Sequence, residues 1–233
     1  QRSVKRRILI MIIYPLNPPT VPGFSALKIT LDDAVAVSAS PYTYTQQAFA
    51  NQGQQWTFEV SVAPMKGDAA GPWEAWFAAM RGRYGIFNLG DSARKSPRGT
   101  AAVALSPGYA YINGGGQTGM TISTAGWANS QTVLKAGDYI QLACVNEFTG
   151  EFTGEFGGSP IARLHEVLQD VTSDSSGHAS IDIWPRLRSS PVNGATIITS
   201  NCKGTFRLAD NTRSWDINTA KIYGFSFKAV EAL

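Results

Sequence analysis

At 233 residues, with 43% hydrophobic and only 16% charged residues, the chain can fill one large β-domain or two smaller ones and is too apolar for wholesale disorder. Its 23 Gly and 12 Pro call for the many turns of sandwiches and barrels. The net charge of +3 is local: Arg2, Lys5, Arg6 and Arg7 open the chain, so the body is near neutral, which excludes a nucleic-acid footprint spread over the fold.

Residues 1–10 read as a basic N-terminal arm appended before a natural start at Met11. The apolar run Ile8–Ile13 is too short to span a bilayer, Pro15, Pro18 and Pro19 come soon after it, and no small-residue cleavage site is evident. Leu27–Leu31 and Ala34–Val37 alternate as strands bent at Asp32-Asp33. Tyr42–Phe49 and Trp56–Val62 repeat the pattern, and Asn51-Gln-Gly between them predicts a hairpin loop.

One helix interrupts the β texture, over Gly71–Gly82. Pro72 suits its first position and Gly82 its left-handed end. Trp73, Trp76, Phe77 and Met80 fall at i, i+3, i+4 and i+7, a single apolar stripe predicted to pack on the sheet of its own domain. Burial of four such side chains contributes roughly 1.5–3 kcal/mol each. Tyr84–Leu89 then re-enters the sheet, and the polar stretch 91–100 marks a domain crossing.

From Ala101 the chain reads as short strands: Ala101–Leu105, Tyr109–Ile112, Met120–Ser123, Tyr139–Val145, Ala162–Val171, Ala179–Trp184 and Ala195–Thr199. Lys135–Asp138 and Asp174–Gly177 are strong turns. This spacing suits a small Greek-key barrel of the OB type. Thr205–Ala209 and Ile222–Val230 return to longer aromatic strands. The expected fold is mainly β. Residues 11–98 and 203–233 form a discontinuous barrel or sandwich with one short helix, completed by the C-terminal strands, and residues 99–202 form an inserted small barrel.

Few residues suggest chemistry. Gly114–Gly119 matches G-x-G-x-x-G, yet a β-like run comes next where dinucleotide binding needs a helix. Cys144, His165, His178 and Cys202 lack the close pair spacing of zinc modules, and two cysteines make no disulfide framework. The tandem units Glu147–Gly150, Glu151–Gly154 and Glu155–Gly158 form the sole internal repeat. They read as an expanded hairpin tip, with Phe148, Phe152 and Phe156 a candidate partner-contact loop. No nucleophile or P-loop setting is recognisable.

The order of these pieces resembles the distal tail proteins of long-tailed, non-contractile bacteriophages. Three stretches carry the resemblance: Trp73–Phe87; Leu134–Leu142 with Leu164–Val171 and Ile181–Leu187; and Gly204–Asn211 leading into Ile222–Val230. The resemblance covers most of residues 11–233. It implies a hexameric ring joining the end of the tail tube to the baseplate or tail tip, with an outer OB-like or galectin-like barrel. The partners it implies are further copies of the chain, the tail tube protein, baseplate hub or tail-tip proteins and the tape measure protein. The expected location is the virion, after assembly in the host cytoplasm. It implies no enzyme activity, no cofactor, no metal, no specific nucleic acid and no membrane.

Two readings compete with this one, a different minor tail adaptor protein and a carbohydrate-binding β-module. Exposed aromatics in a row would favour sugar binding, whereas burial of Trp73, Trp76, Trp184 and Trp215 would remove most of that case.

Overall fold

The computed structural model describes residues 12–102, 110–144 and 161–233. In chain order, a long hairpin of β1 (Phe24–Ala39) and β2 (Gln46–Val62) leads to β3 (Met65–Lys66), helix α1 (Gly71–Met80) and β4 (Phe87–Leu89). The middle of the chain supplies β5 (Tyr111–Ile112), β6 (Thr121–Ala125), β7 (Thr132–Leu134), β8 (Tyr139–Cys144), β9 (Ile161–Val167), β10 (Val171–Thr172), β11 (Ala179–Trp184) and β12 (Ile197–Ile198). The end supplies β13 (Gly204–Leu208), β14 (Asp216–Ile217), β15 (Ile222–Gly224) and β16 (Ser226–Glu231). The fold is mainly β.

Strands from both ends of the chain share one antiparallel sheet, in the order β1-β2-β16-β13-β4. Helix α1 covers it. Pro72 sits in the first turn, and Trp73, Trp76, Phe77 and Met80 are all buried. Trp76 stands edge-on to Phe87 of β4 with ring centres 5.0 Å apart, and Phe77 meets Phe227 of β16 at 5.5 Å. Such edge-to-face pairs add about 0.5–1.5 kcal/mol beyond area burial. The helix ends one residue earlier than Gly82 predicts: Arg81 is itself left-handed (φ 50°), and Gly82 comes next at φ 71°. The core beneath is strongly aromatic, with Tyr14, Trp56, Phe58, Phe87 and Phe206 essentially inaccessible.

The second unit is a six-stranded antiparallel sheet in the order β12-β8-β9-β11-β6-β5. Its two end strands approach one another: the Ile112 amide donates to the Ala195 carbonyl at 2.9 Å, and the Ile197 amide to Ala110 at 2.8 Å. The sheet is therefore a nearly closed barrel, and its core is aliphatic, built from Ile112, Ile122, Val133, Ile140, Val167, Ile181 and Ile183 around Trp127. The turns at Lys135–Asp138 and Asp174–Gly177 close as the sequence predicts, each by a backbone hydrogen bond between its outer residues. Two smaller ladders pair β10 with β7 and β14 with β15 and β3, and Leu16 bridges Phe87 of β4 in parallel.

Several predicted strands are redrawn. Residues 27–37 form one strand rather than two, because the change of register at Asp33/Val35 is an irregularity within a continuous ladder. Asn51-Gln-Gly is not the hairpin loop: it lies inside β2, opposite that irregularity. The chain reverses at Pro41–Thr45 instead, where the Ser40 amide and carbonyl bond Thr45 and Tyr44. Residues 100–102 are a short 3-10 helix rather than the start of a strand. The last predicted strand splits at Phe225: β15 pairs with β3, while β16 joins the main sheet. The Glu-Phe-Thr-Gly repeat with Phe148, Phe152 and Phe156, the basic arm 1–10 and residues 103–109 lie outside the described residues.

Candidate functional site

The outstanding feature is the outer half of the β1–β2 hairpin. β16 pairs with β2 only over Thr57–Ser61, so the main sheet ends there and the hairpin continues alone as a two-stranded ribbon. From Asp33 to Ser40 the ribbon extends roughly 25 Å at the usual rise per residue. Every residue from Leu31 to Ala39 and from Gln46 to Gly53 is exposed.

The ribbon is not polar. No Asp, Glu, Lys, Arg or His occurs between Asp33 and Glu59. Cross-strand partners share a face. One face therefore presents Val35 beside Ala50 and Val37 beside Ala48, and the other Ala36 beside Phe49. Val37 and Phe49 are 60% and 65% exposed, and at the tip Tyr42 and Tyr44 reach 92% and 82%. The tip is ordered by Ser40 and by a 2.8 Å hydroxyl contact between Thr43 and Thr45, with Tyr44 held left-handed at φ 57°.

Both edges are open. Among the described residues no strand pairs with the outer edge of β1, and none other than β1 pairs with β2 over Gln46–Gln55. Natural sheets blunt such edges with charge, Pro or brevity. Here the devices present are Pro41, at the tip, and the register irregularity between Asp33 and Val35, at the root.

The root is built in the opposite way, from polar contacts. Asp32 Oδ2 accepts from the Thr57 hydroxyl at 2.7 Å. Asp33 Oδ1 accepts from Gln54 Nε2 at 2.8 Å and from Trp184 Nε1 of the barrel at 2.9 Å. Gln54 Oε1 accepts the Arg186 amide at 2.7 Å, and the Gln54 carbonyl accepts from the Arg188 guanidinium. Arg188 also pairs with Glu231 at 2.8 Å, and Arg163 stands 3.6 Å from the same carboxylate. Trp56, buried at the root, donates Nε1–H to the Leu164 carbonyl at 2.9 Å and stands edge-on to Trp184 at 4.5 Å.

Other candidates from the sequence are dispersed. His165 is wholly buried with Nδ1 2.7 Å from the Pro185 carbonyl, an acceptor only, so the neutral ring carries its proton on Nδ1. Burial pushes its pKa down to about 4. The Pro185 bond opposes that shift, and the Arg188 and Arg163 charges reinforce it. His178 is exposed beside Asp174. Cys202 is buried, its thiol facing the Tyr139 carbonyl at 3.2 Å, and burial pushes its pKa up to about 12. Among the described residues, no three His, Cys, Asp or Glu side chains group to hold a metal ion. Gly114–Gly119 is a loop between β5 and β6, with Gly114, Gly116 and Gly119 at positive φ.

Among the described residues, open clefts flank the main sheet at β2 and at β4. One, of about 420 Å³, lies between β2, β16 and the loop after β13 and mixes Glu59 and Asp210 with Arg213 and Lys228. Another, of about 370 Å³, is walled by Pro18, Pro19, Phe24 and Leu89 with Lys95 and Lys203. Five of the six tryptophans are buried: Trp56, Trp73, Trp76, Trp127 and Trp184. Trp215, at 37% exposure, is the exception, leaning on Phe225 with ring centres 5.6 Å apart.

Sequence reasoning placed strands in the ribbon but did not single it out as a surface. The available signal was the absence of charge across residues 34–58, which alternation alone does not weigh. Compared with models of protein families and with curated proteins, the chain matches none.

Proposed function

We propose that this chain is a structural protein that assembles with copies of itself into a closed ring, hexameric on the family resemblance, joining the end of a phage tail tube to the baseplate or tail tip. The ribbon carries the assembly half of this reading. A lone two-stranded ribbon is marginal in water, and an uncharged one with two open edges invites pairing. The open edge of β1 and the open edge of outer β2 lie on opposite sides of the same ribbon. Pairing one with the other on the next copy is a head-to-tail contact, which closes into a ring when the rotation per copy permits. Apolar side chains on both ribbon faces, Val35 and Val37 on one and Phe49 on the other, supply the area such a contact buries.

The phage-tail half rests on the resemblance over Trp73–Phe87, over Leu134–Leu142 with Leu164–Val171 and Ile181–Leu187, and over Gly204–Asn211 leading into Ile222–Val230. On that reading the tail tube protein, the baseplate hub and the tape measure protein are the neighbours, and the ring acts in the virion. The glycan-binding reading is weaker, because five of the six tryptophans that could supply stacking platforms are buried.

Native mass spectrometry of the full chain, with negative-stain microscopy, tests the proposal. The expected result is a six-fold ring, with Val37→Lys reducing it to monomers whose melting temperature is unchanged. A wild-type protein that stays monomeric at high concentration, or assembly untouched by Val37→Lys, overturns it.

A further inference from the structure

Asp33 faces Gln54 three register positions beyond Thr57, the last residue of β2 that pairs with β16. Immediately beyond this pair the ladder is irregular: β1 advances from Asp33 to Val35 while β2 advances from Gln54 to Ala50. Irregularities of this kind bend a strand and increase its twist. The ribbon therefore has a built-in bend point, and its own ladder is weakest there. Gly53 fits against Ala34 at that point, where a Cβ would lie 3.0 Å from the Ala34 methyl.

The barrel grips both strands of the ribbon at this same position. Trp184, at the end of β11, reaches Asp33 on β1. Arg186 and Arg188, two and four residues on, reach the side chain and carbonyl of Gln54 on β2. Asp33 and Gln54 are also bonded to each other through the oxygen that Trp184 uses. Arg188 ties the grip back to Glu231 at the end of β16. Directional hydrogen bonds to both strands at a bend do what an apolar seam does not: they set an angle.

We infer that the inserted barrel aims the ribbon, with Trp184–Arg188 as a clamp and Asp33 and Gln54 as positioning residues. The aiming stands on the geometry alone, while its bearing on assembly rests on the reading of the ribbon as the ring-forming element. A head-to-tail contact closes only at one rotation per copy, so the angle of the ribbon decides between a closed ring and open or irregular chains. The barrel then serves ring closure from outside the pairing surface itself.

The test is a distance measured by double electron–electron resonance between spin-labelled noncanonical residues at Gln47 on the ribbon and Ser123 on β6. Labelled chain is diluted into excess unlabelled chain, so that only distances within one copy are read. Wild type is expected to give one narrow distribution, Asp33→Asn the same because its amide oxygen still accepts both bonds, and Asp33→Ala a width roughly doubled. Should Asp33→Ala fail to fold, Trp184→Phe removes the barrel's donor to Asp33 and keeps an aromatic ring. A distribution as narrow in Asp33→Ala and Trp184→Phe as in wild type overturns the clamp, and so does equal broadening in Asp33→Asn. Microscopy of the same variants reads the consequence: closed rings with Asp33→Asn, open or irregular oligomers with Asp33→Ala. Wild-type chain that never leaves the monomer sinks the assembly reading and leaves the distance result to stand by itself.

Discussion

The two halves of the β1–β2 hairpin have the same strand pattern and opposite fates. In the inner half of β2, Trp56, Phe58 and Val60 are among the most deeply buried residues of the protein, while in the outer half Phe49 stands 65% exposed. The difference lies outside the hairpin. β16 pairs with β2 over Thr57–Ser61, and β13 brings Phe206 against Phe58 with ring centres 4.7 Å apart; beyond Thr57, among the described residues, no third strand arrives. Alternation therefore specifies which side chains share a face, and tertiary neighbours decide whether that face meets protein or water.

The contrast can be broken most forcefully at Trp56. Trp56→Ala leaves a large cavity and orphans the Leu164 carbonyl, and is expected to lower stability by about 3–5 kcal/mol in urea unfolding. A loss no larger than that of Phe49→Ala would erase the distinction between the halves.

The support of the inner half also predicts an acid response, because β9, which holds Trp56, carries His165. Its pKa of about 4 in the folded protein lies below the ordinary value of about 6.5 expected on unfolding. Above that ordinary value both states are neutral and His165 contributes no pH dependence. As pH falls from there to about 4 the unfolded state alone takes up this proton, so the His165 contribution lowers stability by about 3 kcal/mol, and that contribution changes no further below. Urea midpoints at stepped pH check this, with His165→Gln expected to flatten the decline. An undiminished slope in that variant would assign the acid response to other groups.

Gly90→Ala probes the strap over residues 90–99 that leads from β4 toward the barrel. A Cβ there would lie 2.1 Å from the Cys202 carbonyl oxygen, and the shift it forces is expected to destabilise by about 1–3 kcal/mol in thermal unfolding. The smallest expected effect on stability, within about 0.5 kcal/mol, belongs to Phe49→Ala, a surface change in the outer half. On the proposed assembly, its effect appears instead as weaker association in sedimentation velocity. A large loss of stability with unchanged association would reverse the roles assigned to the two halves.

Local chemistry made some of this legible in the residues alone. Pro72 and the 3.6-residue spacing of Trp73, Trp76, Phe77 and Met80 pointed to a short helix over these residues, and short alternating runs pointed to the barrel strands. Asn51-Gln-Gly misplaces the hairpin loop because it has the composition of a turn, although it occupies an irregularity inside a strand. The true reversal at Pro41–Thr45 looked like the start of a strand, since Tyr42, Thr43, Tyr44 and Thr45 all favour β-structure. The final strand was joined across Phe225, where alternation continues although the pairing partner changes from β3 to β2. The clamp had no sequence signal, because Asp33, Gln54, Trp184 and Arg188 are ordinary residues whose meeting depends on topology.

That meeting bears on how such a protein can be rebuilt. An inserted unit joined only by two peptide crossings is a cassette, exchangeable for another domain of similar span. This one is soldered to its host through Asp33, Gln54 and Glu231, and Gly99 in the strap is pressed against the Val133 carbonyl so closely that a Cβ would lie 2.2 Å from it. Swapping the barrel for another domain would thus strip a polar root from the ribbon and leave Glu231 facing the gap. A chimera that keeps Trp184–Arg188 in place, grafting only the loops at the far end of the barrel, preserves what the rest of the molecule leans on.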